Sequence, residues 1–321
     1  MFHFDLHLHT SASDGALDFH SLFSFCQKRG IRGLAVTDHN CSVPFADLSA
    51  AAAFNNLEII PAVEIKTSCF DSLADYAGVD FARKSFTVQE LLIYGLDTEN
   101  SEFLEYSRRH LACRREYVQN LCRLLSGRSS NEIEGLDFAE PLILDEAEIL
   151  SVDGYIGSER IISYLVDNYR EKAYKPDWGR AEVKKFVTSL SMEAISGLDD
   201  PFYQMDIFEG LKLAEKWGKV VVLAHPFAAS RKNFSDFYRD FLFPRLSASG
   251  LNGLECSYPE HSREQRSFLQ QEANKYQFLL TGGSDFHNLR DERYLPGFCG
   301  VDEKIFRKIK NLCLSGVNLL K

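Results

Sequence analysis

The chain has 321 residues, 45% of them hydrophobic and 25 of them Phe, enough for one large domain, or one domain with an insertion, around a sizeable core. A formal net charge of −10 excludes a broad nucleic-acid-coating surface, though not a small nucleotide held through cations, which invert the local charge logic. No apolar stretch approaches the ~20 residues of a membrane-spanning helix, no signal peptide is expected ahead of the first motif, and the eight Cys form no CxxC pair, so reduced thiols in a cytoplasmic protein are expected.

The first apolar run, Phe2 to Leu8, alternates apolar and polar residues and carries Asp5-Leu6-His7-Leu8-His9, with Ser13-Asp14-Gly15 soon after. Residues i and i+2 of a strand share a face, so His7 and His9 leave the backbone side by side, able to grip one cation. A helix over Asp18 to Arg29 follows, with Phe19, Leu22, Phe23 and Cys26 at helical spacing and Gly30 as its stop. Run two, Gly33 to Thr37, ends on Asp38-His39, and run three, Glu58 to Val63, ends on Glu64; run four is Leu91 to Leu96. From about Asn100 to Trp217 the pattern is mainly helical, with turn-rich joints at 128–131 and 196–201. Run five, Val220 to Ala224, ends on His225-Pro226. Run six, Leu251 to Cys256, contains Glu255 and is followed by His261. A helix over Arg263 to Lys275 precedes run seven, Phe278 to Thr281, which leads into Gly282-Gly283-Ser284-Asp285-Phe286-His287. Several runs are continuous Val, Ile and Leu, as in strands buried on both faces, and strands alternate with helices. The pattern predicts an α/β fold: seven parallel strands closed into a barrel over residues 1–99 and 218–321, with a helical insertion over 100–217 forming a substrate cap.

In such a barrel the carboxyl ends of all strands meet on one face, where active sites are built. His7, His9, Asp14, His39, Glu64, His225, Asp285 and His287 all follow apolar runs and would converge there. Singly, each has an ordinary reading: a core or turn histidine, a helix cap at Asp38, a turn at Asp14-Gly15. Ligand-type residues at five strand ends point together to metal binding. Imidazoles mixed with carboxylates suit Mn, Fe or Zn better than Ca or Mg. Glu64 can bridge two cations, and two or three cations would activate a water and clamp phosphoryl oxygens.

These motifs resemble the PHP (polymerase and histidinol phosphatase) superfamily of metal-dependent phosphoesterases: Asp5-Leu-His7-Leu-His9-Thr-Ser-Ala-Ser13-Asp14-Gly15, Thr37-Asp38-His39-Asn40, Pro61-Ala-Val-Glu64-Ile, Ala224-His225-Pro226 and Gly283-Ser284-Asp285-Phe286-His287. They span the chain in the family's order. The resemblance implies a distorted (β/α)7 barrel and a hydrolase of phosphoric esters. It implies one metal held by His7, His9, Glu64 and Asp285, a second shared through Glu64 with His225, and a third among Asp14, His39 and His287. Many relatives carry a further His in the fourth strand; here Leu92, in Glu90-Leu91-Leu92-Ile93-Tyr94-Gly95, occupies that position and cannot ligate, which leaves the metal count open between two and three.

Tyr258-Pro259-Glu260-His261-Ser262 and the long insertion resemble the subgroup acting on small nucleotides, including 3′,5′-nucleoside bisphosphate phosphatases and an exonuclease on short RNA. The implied reaction is in-line attack of a metal-activated water on phosphorus, with Glu64 and Asp285 at its centre and His261 as phosphate contact or general acid. Arg160, Arg231 and Lys232 are candidate phosphate contacts, because guanidinium and ammonium groups match phosphate oxygens; Lys66 is a weaker one. The basic run Arg108, Arg109, Arg114, Arg115, Arg123 and Arg128 reads as a solvated helix face interleaved with Glu, or as a phosphate-backbone track. The leading substrate is therefore a small phosphorylated molecule, a nucleotide. A short oligonucleotide cleaved by a 5′-3′ exonuclease or phosphodiesterase, histidinol phosphate, and a non-catalytic metal-binding module stand as alternatives. No membrane or protein partner is expected.

Overall fold

The structure, a computed structural model, describes residues 1–69, 88–126, 142–151, 156–169, 179–196, 198, 205–228 and 235–314. Arg231 and Lys232 lie outside the described residues. Seven strands form one sheet in chain order: β1 (Phe4–Leu8), β2 (Gly33–Val36), β3 (Glu58–Ser68), β4 (Val88–Tyr94), β5 (Val220–Leu223), β6 (Gly253–Ser257) and β7 (Leu279–Gly282). β1 to β3 run parallel to one another, as do β5 to β7. β4 runs antiparallel to both β3 and β5.

The expected all-parallel sheet is corrected at that strand. Leu91, Leu92 and Ile93 are fully buried, and an apolar run buried on both faces looks the same read in either direction. The reversal matters for the site, because it brings the beginning of β4 level with the end of β3. Glu64 pairs with Leu92, and Lys66 with Glu90. The two edge strands meet just past their ends, where Leu8 bridges Phe286, His9 N donates to Phe286 O (3.0 Å) and Asp285 N donates to His7 O (2.9 Å).

Alternate residues of the strands supply two apolar layers, as a pleated sheet requires. One face contributes Leu6, Ala35, Ile60, Ala62, Leu92, Tyr94 and Val222 to a cluster that also takes Phe306 and Ile309. The other face packs on helices. α1 (Phe19–Lys28) is capped by Asp18, whose side chain accepts from Ser21 N, and it buries Leu22, Phe23 and Cys26. These meet Leu34, Val36 and Ile59 of the sheet, together with Leu48, Ala51 and Ala52 of α2 (Phe45–Phe54).

The chain divides into two compact units, 1–107 with 203–321, and 108–202. The helix Ile207–Trp217, placed in the insertion by its sequence pattern, belongs to the unit that holds the sheet. It buries Ile207, Leu211, Ala214 and Trp217 against Val63, Ile93 and Val221, and Trp217 meets Phe103 edge-on at 5.5 Å. Arg128 of the basic run lies outside the described residues, and within the second unit Arg114 and Arg115 are not simply solvated. Arg114 is buried, its Nε donating to Ile156 O at 3.0 Å, and Arg115 Nη1 donates to Leu150 O at 2.9 Å. All eight cysteines are free. No helix among the described residues is long and apolar enough to cross a membrane.

Candidate metal centre

The loops that follow the strands are built by buried polar contacts. Asp5, fully buried, accepts from His7 N (3.3 Å), Ser284 N (3.0 Å) and Gly297 N (2.9 Å), tying β1 to the segment after β7. Burial still pushes its carboxyl up to about 6. Asp38 accepts from Thr10 N (2.7 Å), Thr10 Oγ1 (2.6 Å) and Ser13 Oγ, which fixes the turn that presents Asp14; burial raises it to about 6 despite these bonds. Asn40, at φ 56, takes a left-handed conformation that Asn tolerates. Its Oδ1 accepts from Lys66 N (3.0 Å) and Tyr106 Oη (2.6 Å), and its own N–H goes to Glu64 O (2.8 Å), so the turn after β2 is fastened to β3. His225 and Asp285 also have positive φ, 22 and 53. Non-Gly residues held there cost on the order of 1–3 kcal/mol each, and such strain gathers at functional sites.

On this frame His7, His9, Asp14, His39, Glu64, His225, Asp285 and His287 come together. His7 Nε2 lies 3.4 Å from Glu64 Oε2 and 3.3 Å from Asp285 Oδ1. His9 Nε2 lies 3.4 Å and 3.1 Å from the same two atoms. His225 Nε2 is 3.1 Å from Glu64 Oε1, and His39 Nδ1 is 2.9 Å from Glu64 Oε2. Asp14 faces His287 Nε2 (3.1 Å), His39 Nε2 (3.6 Å) and His9 Nδ1 (3.8 Å). Ligand atoms group as His7, His9 and Asp285; as His7, Glu64 and His225; as His9, Asp14, His39 and His287; and as His39, Glu64 and Glu90. Glu64 sits at the junction.

These donors fit divalent ions. His7 Nε2, both nitrogens of His9, Glu64 Oε2 and Asp285 Oδ1 are buried and make no hydrogen bond among the described residues, although the two Nε2 atoms face Glu64 Oε2 and Asp285 Oδ1 at 3.1–3.4 Å. Lone pairs that converge on a common point without hydrogen-bond alignment are what a cation needs. Two ligands each about 2.1 Å from one ion lie about 3 Å apart.

The charges are strongly coupled. Burial works to discharge His7, but Glu255, Glu64 and Asp285 outweigh it and raise the imidazole well above its ordinary range, so a cation entering here must displace the Nε2 proton to free that lone pair. Burial, with His287 and His39 beside it, pushes His9 down to about 3. Burial opposes ionisation of Glu64 and Asp285 as well, yet the surrounding imidazoles, His7 foremost, keep both well below the usual carboxylate range. Asp14 is held low against burial by His39 and His287.

Two supporting residues had no assigned role in the sequence. Glu255, fully buried, lies 3.0 and 3.2 Å from His7 Nδ1 through its two oxygens, and it accepts from His225 N (2.9 Å). A carboxylate on Nδ1 fixes the ring and turns the Nε2 lone pair toward the centre. Its position in the sixth apolar run, at the level of the other strand-end ligands, was the available signal. Tyr258 Oη donates to Asp285 Oδ2 (3.1 Å), steadying that carboxylate from just past the end of β6. Glu255→Gln is expected to weaken Mn²⁺ binding roughly 10–100-fold, read by titration calorimetry; an unchanged affinity would mean that packing alone orients His7.

The remaining candidates are placed differently. His261 is buried, with Nδ1 3.0 Å from Cys256 O and Nε2 accepting from Phe227 N at 3.4 Å. Arg160 is exposed in the second unit, donating to Glu148 O at 3.3 Å. Lys66 Nζ lies 3.9 Å from Glu90 Oε1.

Comparison with known families gives a match to the PHP domain over residues 5–169. The chain belongs to the PHP domain family. Relatives of this PHP protein include a phosphoribosyl 1,2-cyclic phosphate 1,2-diphosphodiesterase from Eggerthella lenta, 24% identical over 88% of the chain and 93% of that protein. A 3′,5′-nucleoside bisphosphate phosphatase from Chromobacterium violaceum is 23% identical over 89% and 88%, and a 5′-3′ exoribonuclease from Haemophilus influenzae 24% over 88% and 89%. Among solved structures, one described as a metal-dependent phosphoesterase from Bifidobacterium adolescentis shares the PHP protein's fold with a TM-score of 0.68, 23% identity and 96% coverage of both chains. The family and these relatives are hydrolases of phosphoric esters.

Proposed function

We propose that the chain hydrolyses a phosphomonoester of a small nucleotide with the help of two or three divalent ions, Mn, Fe or Zn. The convergence of buried, unbonded lone pairs from His7, His9, Glu64 and Asp285 supports this reading most directly. His7, His9, Glu64 and Asp285 would hold one ion, Glu64 and His225 a second, and Asp14, His39 and His287 a third. Bound there, such ions supply Lewis acidity, lowering the pKa of water and neutralising phosphoryl oxygens.

The protein's own groups then do the rest. Glu64 and Asp285 place carboxylate charge against the His7 and His9 rings. Glu255 and Tyr258 hold His7 and Asp285 in place, which keeps the geometry fixed while charge shifts on the phosphoryl group. His261 would meet the phosphate or protonate the leaving oxygen through Nε2, the atom that receives Phe227 N–H, so it must release that bond to do so. Arg160, Arg231 and Lys232 are our proposed phosphate contacts. The second reading, cleavage of a phosphodiester or of short RNA from its 5′ end, draws on the E. lenta and H. influenzae relatives.

The test is phosphate release from AMP, 3′,5′-bisphosphate nucleotides and histidinol phosphate, beside cleavage of a labelled short RNA and a cyclic phosphodiester, with Mn²⁺ and an Asp285→Ala control. Mn-dependent release from a mononucleotide, absent in the control, is the expected result. Turnover confined to the RNA or the cyclic ester would favour the second reading. Silence throughout in metal-loaded protein would favour a non-catalytic module.

A further inference from the structure

By the resemblance drawn from the sequence, Leu92 stands where many relatives carry a ligand histidine, and the structure shows what lies beside it. Leu92 is fully buried in the apolar layer with Leu6, Ala62 and Val222. Glu90, two residues earlier, is on the same face of β4, about 7 Å along the strand. Because β4 is reversed, that step leads from the apolar layer toward the end of β3 rather than away from it: Leu92 is opposite Glu64, and Glu90 is opposite Lys66. Ala224 N donates to Glu90 O (2.9 Å), so His225 begins where Glu90 stands. The result is that Glu90 Oε2 lies 3.6 Å from His225 Nε2, itself 3.1 Å from Glu64 Oε1, and Glu90 groups with Glu64 and His39 within ligand range.

We propose that Glu90 is a ligand of the second ion, a carboxylate entering from one rung further along β4 in place of an imidazole at position 92. The inference rests on the metal-dependent reading above. It makes the second position richer in oxygen than the first, with Glu64, Glu90 and His225 around it. Hard, oxygen-preferring ions such as Mn²⁺ suit such a set better than Zn²⁺ does. Spacing favours the assignment, since donors 3.1–3.6 Å apart match two ligands about 2.1 Å from a common centre. The ordinary alternative is that Glu90 only balances Lys66, 3.9 Å away.

Equilibrium dialysis of the full chain against Mn²⁺, with bound metal counted by mass spectrometry, separates these. Glu90→Gln is expected to hold one equivalent fewer than the unsubstituted protein at a concentration that saturates the latter. Leu92→Ala and Lys66→Met are expected to match the unsubstituted count. An unchanged count and affinity in Glu90→Gln overturns the proposal, and so does an equal loss of an equivalent in Lys66→Met, which would show that the ion pair with Lys66, and not ligation by Glu90, supports the second position. If Glu90→Gln melts early without metal, Glu90→Asp replaces it: weakened binding at one position supports ligation, and unchanged affinity overturns it. An unsubstituted chain that binds no Mn²⁺ would instead defeat the metal-dependent reading itself.

Discussion

Glu64→Gln is expected to lower kcat/KM on the order of a thousandfold, about 4 kcal/mol of transition-state stabilisation, and to strip metal from more than one position. Glu64 is fully buried. Its Oε2 is within 3.4 Å of His7 Nε2 and His9 Nε2 and 2.9 Å from His39 Nδ1, and its Oε1 is 3.1 Å from His225 Nε2. Among the described residues no other side chain touches as many of the converging imidazoles. Glutamine keeps the shape but removes the charge and turns an N–H₂ toward nitrogen lone pairs, so it cannot bridge two cations. The measurement is an initial-rate assay on the substrate found by the panel, with metal counted in the same sample. A variant retaining a tenth or more of the activity would show that the ions are organised around some other residue.

Gly283→Ala is expected to destabilise the fold by about 3 kcal/mol, in the upper range of overpacking effects, and to lower Tm by roughly 6 °C. A Cβ at position 283 would lie 2.3 Å from His7 Cβ and 2.4 Å from His7 N. Neither atom can yield, because His7 is held by Asp5 below and Asp285 N above. Gly30→Ala is the matching control. Gly30 has φ +78 but nothing nearer than His3 Nδ1 at 3.9 Å, so the strained backbone alone should cost about 1 kcal/mol. Thermal unfolding of both variants decides the matter; equal losses would mean that the contact with His7 relaxes freely.

Much of the centre could be read from the chain because its chemistry is local. An imidazole or carboxylate at the end of an apolar run is visible without knowing where the run goes. Parallel strands then place such ends on one face, and His7, His9, Asp14, His39, Glu64, His225, Asp285 and His287 do meet. Direction was not legible. Nothing in Leu91-Leu92-Ile93 distinguishes a strand running up from one running down, and the role of Glu90 depends on that choice. Support was illegible for a related reason. Glu255 is 248 residues from His7, and only the sheet brings them within a hydrogen bond. Arg114 and Arg115 read as charge on a helix surface, yet each donates to a carbonyl, of Ile156 and Leu150 respectively. His261 reads as a phosphate contact or general acid, and two backbone groups occupy its ring.

The reversed strand has a consequence for how such chains diversify. β4 ends at Tyr94 and β5 begins at Val220, and these residues are paired neighbours. Lys219 N reaches Tyr94 O (2.9 Å), and Asp97 N reaches Trp217 O (2.7 Å). Phe103 and Trp217 then clasp the departing and returning helices. Everything between is therefore tethered at a closed gate, and doubling the length of such an excursion costs only about 0.6 kcal/mol in closure entropy. Evolution, or an engineer, can lengthen, shorten or exchange the stretch from 108 to 202 while the rungs that carry Glu64, Glu90 and His225 keep their register.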